Sequence, residues 1–138
     1  MIDVTKIWER LYLGSLLDAE RLGRANPHGI TSVISLSESS PCNTRCGIHY
    51  IRVPIDDAQP IPVDQFDAIM RAIADHIRSG KILIHCGPGV SRAPVITAAW
   101  MHLAGHKHFD AALKEIARLR PFINPSAVLL ASVKAHLR

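Results

Sequence analysis

The residues best suited to chemistry lie together in "ILIHCGPGVSRAPV", residues 82–95. Cys86 precedes two glycines, a proline and a serine, and Arg92 follows it by six positions. The apolar run before Cys86 reads as a buried strand. The run after Arg92 reads as a helix, with Pro94 in its first turn, where a missing N–H costs little. Gly87 and Gly89 permit unusual backbone dihedrals that turn N–H groups inward, and they leave room for a ligand. Such a nest, opening into a helix N-terminus, binds an anion through oriented amides and the macrodipole. Gly87, Pro88, Gly89, Val90, Ser91 and Arg92 are therefore the expected phosphate cradle. The planar fork of Arg92 suits two oxygens of a tetrahedral dianion.

The same field favours an ionised sulfur, which makes Cys86 the expected nucleophile. A helix end supplies at most about 2 kcal/mol of that preference. The rest falls to the loop amides, Arg92, and hydrogen bonds involving His85 or Ser91. Spacing alone is weak support, because Cys46 and Arg52 stand equally far apart in "CGIHYIR". That stretch has no glycine nest and alternates like a strand, so it cannot wrap an anion. Phosphoryl transfer also needs a proton for the leaving oxygen. Asp56 and Asp57 in "RVPIDDAQPIP" are the candidates. Neighbours in extended chain point opposite ways, so one of the two is expected to face the substrate.

These residues need a scaffold. "RLYLGS", "TSVISL", "IHYIRV" and "KILIHC" read as strands. "DAERLGRANPHG" reads as a helix stopped by Asn-Pro and Gly. A longer helix follows the Pro-rich loop, with Asp64 as its cap, Phe66, Ile69, Met70, Ile73 and Ile77 on one face, and Gly80 at its end. "RAPVITAAWMHLAG", "FDAALKEIARLR" and "PSAVLLASVKAHLR" supply three more helices. Strands alternating with helices predict an α/β fold. It is a single compact domain over residues 1–138, with a central, largely parallel or mixed sheet of about four or five strands flanked by helices on both faces. Cys86 then sits at the carboxyl end of a strand, where such sheets bind ligands.

The 138 residues carry a net charge of +4. The excess lies in residues 107–138, where Lys107, Lys114, Arg118, Arg120, Lys134 and Arg138 face Asp110 and Glu115. With no basic run and little aromatic interleaving, this reads as a solvated face, and a nucleic-acid partner is not expected. Three cysteines, no apolar leader and no long apolar span indicate a soluble cytoplasmic protein. The ending "KAHLR" offers no cysteine for a lipid anchor. His102, His106 and His108 read as a surface cluster rather than a metal site. Trp100, Met101 and Leu103 read as core.

"HCGPGVSRAP" resembles the HC-x5-R signature of cysteine-dependent protein tyrosine phosphatases, and specifically their dual-specificity branch. The likeness extends along most of the chain: "RLYLGSLLDA", "HGITSVISLSE", "IRVPIDDAQPIP" and "ARLRPFINPSAVLL" each resemble a segment of that family. The resemblance implies attack by Cys86 on phosphorus, a phosphocysteine, and oxygens held by Arg92 and the loop amides. It implies no cofactor and no metal. By the family's Pro-x-x-Asp pattern the acid is Asp57, three after Pro54, rather than Asp56. Where the family usually has Ser or Thr after the arginine, this chain has Ala93. There, and in its "DD-x-x-P" acid loop, it is similar to the phosphatases of regenerating liver. The family's Pro-Asn is here Pro125-Ser126.

The resemblance implies a phosphotyrosine, or also phosphoserine/threonine, protein substrate and phosphate-like anions (sulfate, vanadate) in the loop. A monomer is expected. The competing readings are a phosphoprotein-binding pseudophosphatase and an RNA 5′-triphosphatase. A disulfide from Cys42 or Cys46 to an oxidised Cys86 is a further expectation.

Overall fold

The computed structural model describes residues 4–138. Its centre is strand β5, Lys81–Cys86, buried at every position after Lys81. A strand covered on both faces needs a continuous apolar run, which "ILI" provides. We number the other strands β1 (Thr5–Trp8), β2 (Leu11–Ser15), β3 (Ile30–Ser35) and β4 (His49–Arg52). The sheet order is β1-β2-β5-β3-β4. β2 and β3 flank β5 in parallel, β4 continues in parallel on β3, and only β1 runs antiparallel. The register aligns Ser15 with Cys86, and His85 with both Gly14 and Ser35. Three strand ends therefore meet beneath the loop that follows Cys86.

The helices are α1 (Leu16–Arg21), α2 (Val63–Ile77), α3 (Arg92–Leu103), α4 (Phe109–Leu119) and α5 (Ala127–His136). They cover both faces of the sheet, unevenly. On one face, Ala19 and Leu22 pack on Tyr12, Ile30, Val33 and Leu83. On the other, α2 to α5 share a larger core with Leu11, Leu13, Ile34, Ile82 and Ile84. α3 is buried from Ala93 to Met101, as an apolar segment without a polar face must be. Among the described residues, no helix is long and apolar enough to cross a membrane.

Four details depart from the sequence reading. The strand β1 was not expected; it is four residues long and carries Lys6 at the sheet edge. α1 starts two residues earlier than Asp18 and ends at Arg21. Ser15 caps it and Asp18 returns the bond, at 3.2 and 2.9 Å, so Asp18 is the far half of a capping box. α2 has Pro62 at its N-cap and no side-chain cap; Asp64 lies within the first turn, where a carboxylate still complements the dipole. Leu103 is 51% exposed at the last turn of α3, whereas Trp100 and Met101 are buried.

Candidate active site

Cys86 is fully buried as the last residue of β5, and Arg92 is the first of α3. Between them the chain makes a tight loop in which Gly89 alone of the two glycines has a positive φ, +74°. Gly87 does not use the left-handed region that its lack of a Cβ would permit. A Cβ at Gly89 would lie 2.7 Å from the Gly14 carbonyl oxygen and 2.8 Å from Arg120 Nη2, so no larger residue fits. At Gly87 the nearest obstacle is Arg92 Nη2 at 3.6 Å, an ordinary contact.

The loop is gripped from outside. Leu16 N–H donates to the Gly87 carbonyl at 2.9 Å, and Asn124 N–H donates to that of Val90 at 2.7 Å. Arg120 Nε–H donates to the Gly89 carbonyl at 3.1 Å, and Ser126 N–H donates to Ser91 Oγ at 3.3 Å. A trans peptide points its N–H opposite its C=O, and the described chain has no cis bonds. Tying the Gly89 and Val90 carbonyls outward therefore turns the N–H groups of Val90 and Ser91 inward. Pro88 has no N–H, so it shapes the loop without donating to a ligand.

Arg120 is the residue that sequence reasoning misjudged. Counted there as part of a basic surface, it is 1% exposed. Besides Gly89 it donates to Thr5 Oγ1 at 2.9 Å, and its Nη2 lies 3.8 Å from Asp18 Oδ2. Burial lowers its pKa, and the charge of Asp18 opposes that shift. The available signal was its place beside Pro121, between two helices in a family-like segment. Ser126 keeps the cap of α5 by accepting from Leu129 N–H at 3.2 Å. The Pro-Ser departure thus retains both a cap and a hold on the loop.

Arg92 folds back beside the loop. Its Nη1 donates to the Ile55 carbonyl at 3.1 Å, which fixes the guanidinium, while its Nε is buried without a hydrogen-bond partner. An unmet buried donor costs about 1–3 kcal/mol. The Nε/Nη2 edge is the bidentate face that an oxyanion would satisfy. A cavity of about 260 Å³ opens here, lined by Gly87, Arg92, Asp56, Asp57, Leu16 and the segment 37–39.

Both aspartates are exposed at its rim, and only Asp57 is tied to the loop. Its Oδ1 accepts from Ser91 Oγ at 2.7 Å and from Ala58 N–H at 2.9 Å. Ala58 has φ +58°, a strained value for a residue with a Cβ, in keeping with a loop held in a working position.

His85 is fully buried under Cys86. Its Nδ1 lies 3.1 Å from the Cys86 carbonyl, which can only accept, so Nδ1 carries the proton. Nε2 then accepts from Ser35 Oγ at 2.6 Å. Burial lowers the His85 pKa below its usual 6.5, and the charge of Arg92 acts the same way. A depressed histidine stabilises the fold above the unfolded value of about 6.5 and loses that contribution as pH falls through the folded value. Unfolding free energy is expected to drop on acidification from pH 7.5 to 5. His85→Gln should flatten the drop by up to about 1.4 kcal/mol per pH unit. Parallel urea titrations of the two proteins check this; curves that stay equally steep would contradict it.

Other candidates resolve differently. Arg52 donates to the Glu38 carbonyl at 2.9 Å and forms no loop with the exposed Cys46. Cys42 is also exposed, and all three cysteines are free. His102 and His108 each accept a backbone N–H through Nδ1, and His106 packs 4.4 Å from the ring of Trp8. Arg118 and Lys134 pair with Glu115 and Asp110.

The family described as "Dual specificity phosphatase, catalytic domain" matches residues 11–138. Dual specificity protein phosphatase 15 of Homo sapiens is 30% identical over 118 residues, 84% of this chain and 40% of the relative. Dual specificity protein phosphatase 2 of Mus musculus is 28% identical over 118 residues, 84% of this chain and 37% of the relative. The chain thus spans well under two thirds of these curated relatives. The crystal structure of DUSP15 superposes with a TM-score of 0.81 at 28% identity, covering 98% of this chain and 85% of that one. Sequence, fold and the loop after β5 agree, and the chain belongs to the dual-specificity phosphatase catalytic-domain family.

Proposed function

We propose that this chain hydrolyses phosphomonoesters of phosphotyrosine, and of phosphoserine or phosphothreonine, in proteins. The observation that carries the reading is the buried, unpartnered Nε of Arg92, beside a loop whose carbonyls are tied outward above Cys86. The Cys86 thiolate attacks phosphorus in line. The ester P–O bond breaks as the S–P bond forms, and Asp57 as its acid gives a proton to the departing oxygen. A water then attacks the phosphocysteine, Asp57 takes its proton, and the S–P bond breaks to return the thiolate and inorganic phosphate. The N–H groups of Gly87, Gly89, Val90, Ser91 and Arg92, with the Arg92 fork, hold the equatorial oxygens throughout, which is positioning and electrostatic work. His85 holds the Cys86 carbonyl from below.

Gly87, Pro88 and Val90 bring no cation to the loop, which disfavours a polyphosphorylated lipid. The rim position of both aspartates suits a shallow site open to short and long phosphorylated side chains. The same reading has the whole chain working as one cytoplasmic domain and a monomer, without metal.

A second reading, a phosphoprotein-binding module with little turnover, draws on Ala93. This residue is fully buried at the first turn of α3 and lacks the hydroxyl that steadies a departing thiolate. Hydrolysis of p-nitrophenyl phosphate and of a phosphotyrosyl peptide separates the two. Turnover inhibited by vanadate supports the enzyme; tight phosphopeptide binding with no turnover supports the module. If breakdown of the phosphocysteine is slow, Ala93→Ser should raise steady-state turnover several-fold while the burst rate stays constant. A lower or equal steady-state rate would refute that role for position 93.

A further inference from the structure

A second hollow lies next to the catalytic cavity, and the same two elements line both. α1 begins at the phosphate loop, where Leu16 N–H binds the Gly87 carbonyl, and runs away from it. Leu16 lines the catalytic cavity; Leu17, Glu20 and Arg21, with Arg24 just beyond the helix, line the neighbouring hollow of about 600 Å³. The opposite wall behaves alike. Ser37, Glu38 and Ser39 face the catalytic cavity, and Asn43 of the same segment faces the hollow.

This wall is built into the fold. Glu20 Oε1 and Oε2 accept the N–H groups of Cys42 and Asn43 at 2.6 and 3.1 Å, and Asn43 Nδ2 donates to the Glu20 carbonyl at 3.1 Å. A Cβ at Gly23 would overlap the Asn43 amide, so a bare glycine lets the segment close on α1. Both oxygens of Glu20 are thereby turned into the wall. Arg21 leans on Asp18 at 3.3 Å. Arg24 is exposed and pairs with no carboxylate among the described residues, and Leu17, 58% exposed, gives the hollow an apolar wall one residue after Leu16.

We infer that this hollow is a substrate subsite, in which Arg24 recognises an acidic or second phosphorylated side chain of the polypeptide whose phosphoresidue occupies the loop. The inference rests on the phosphatase reading and gives it a substrate class. Helix α1 advances about 7–8 Å from Leu16 to Arg21, the turn on to Arg24 adds up to about 4–5 Å, and an extended chain covers about 3.3–3.6 Å per residue. The recognised side chain therefore stands two to four residues from the phosphoresidue.

The test measures binding of phosphotyrosyl peptides to Cys86→Ser protein, with and without Arg24→Glu. The peptides carry alanine, glutamate or phosphoserine two, three or four residues to either side. Glutamate on one side should tighten binding about three- to fivefold, the range of an exposed ion pair, and phosphoserine should tighten it more. Arg24→Glu should remove or reverse that preference and leave binding of the alanine peptide unchanged. Equal binding of all peptides, or a preference that survives Arg24→Glu, would overturn the subsite. Hydrolysis of p-nitrophenyl phosphate by the unaltered chain tests the phosphatase reading separately. That small substrate does not reach the hollow, so Arg24→Glu should hydrolyse it normally.

Discussion

Cys86→Ser should lower turnover of p-nitrophenyl phosphate by at least about 10⁴-fold, the scale seen when a covalent nucleophile is removed. A hydroxyl at this position is far less ionised than a thiol, so the attacking group is lost while its shape is kept. The loop itself should survive. Its holds come from Leu16, Arg120, Asn124 and Ser126, which bind the Gly87, Gly89 and Val90 carbonyls and Ser91 Oγ rather than the sulfur. The variant should therefore bind vanadate or a phosphotyrosyl peptide about as well as the parent, with an unchanged urea midpoint. Turnover within tenfold of the parent would remove Cys86 from the mechanism. Loss of both turnover and anion binding would show that the sulfur shapes the loop rather than attacks.

Asp57→Asn should lower kcat on phenyl phosphate, a poor leaving group, by about 10²- to 10⁴-fold, the usual contribution of a positioned acid. The amide oxygen still accepts from Ser91 Oγ–H and Ala58 N–H, so the loop position is kept while the proton is lost. KM should change little. With p-nitrophenyl phosphate, whose leaving oxygen needs less help, the loss should be smaller. Asp56→Asn should keep most activity on both substrates, because Asp56 lines the cavity without a bond to the loop. A reversed order between the two variants would move the acid to Asp56. Equal losses on both substrates would mean that the carboxylate acts by position and not by protonation.

Much of this arrangement was legible in the residues. The central strand is an uninterrupted apolar run, and the helix after Arg92 has no polar face, so both declare burial locally. Cys86, Gly89 and Arg92 are readable because strand, loop and helix follow one another without a gap in the sequence. What escaped depends on contacts far along the chain. Arg120 looks like any helix-terminal cation until α4 docks and carries it to Gly89, 31 positions away. The strand β1 has too few residues for its period to show, and its pairing with β2 defines it. α1 was misplaced because Ser15 reads as the end of a strand, although its hydroxyl also starts the helix. The residue pair "DD" alone left its two carboxylates equivalent; the family's Pro-x-x-Asp pattern favoured Asp57, and the bond from Ser91 ties Asp57, not Asp56, to the loop.

The central claim is that phosphorus passes through a covalent bond to Cys86. Rapid mixing of the chain with a radiolabelled phosphotyrosyl peptide, quenching within the first turnover, and mapping of the labelled fragment test it directly. The account predicts label on the peptide containing Cys86, in an amount approaching one per active chain, and a longer-lived label than in Ala93→Ser. Label on any other residue, or phosphate released with no labelled protein at any time, would contradict it.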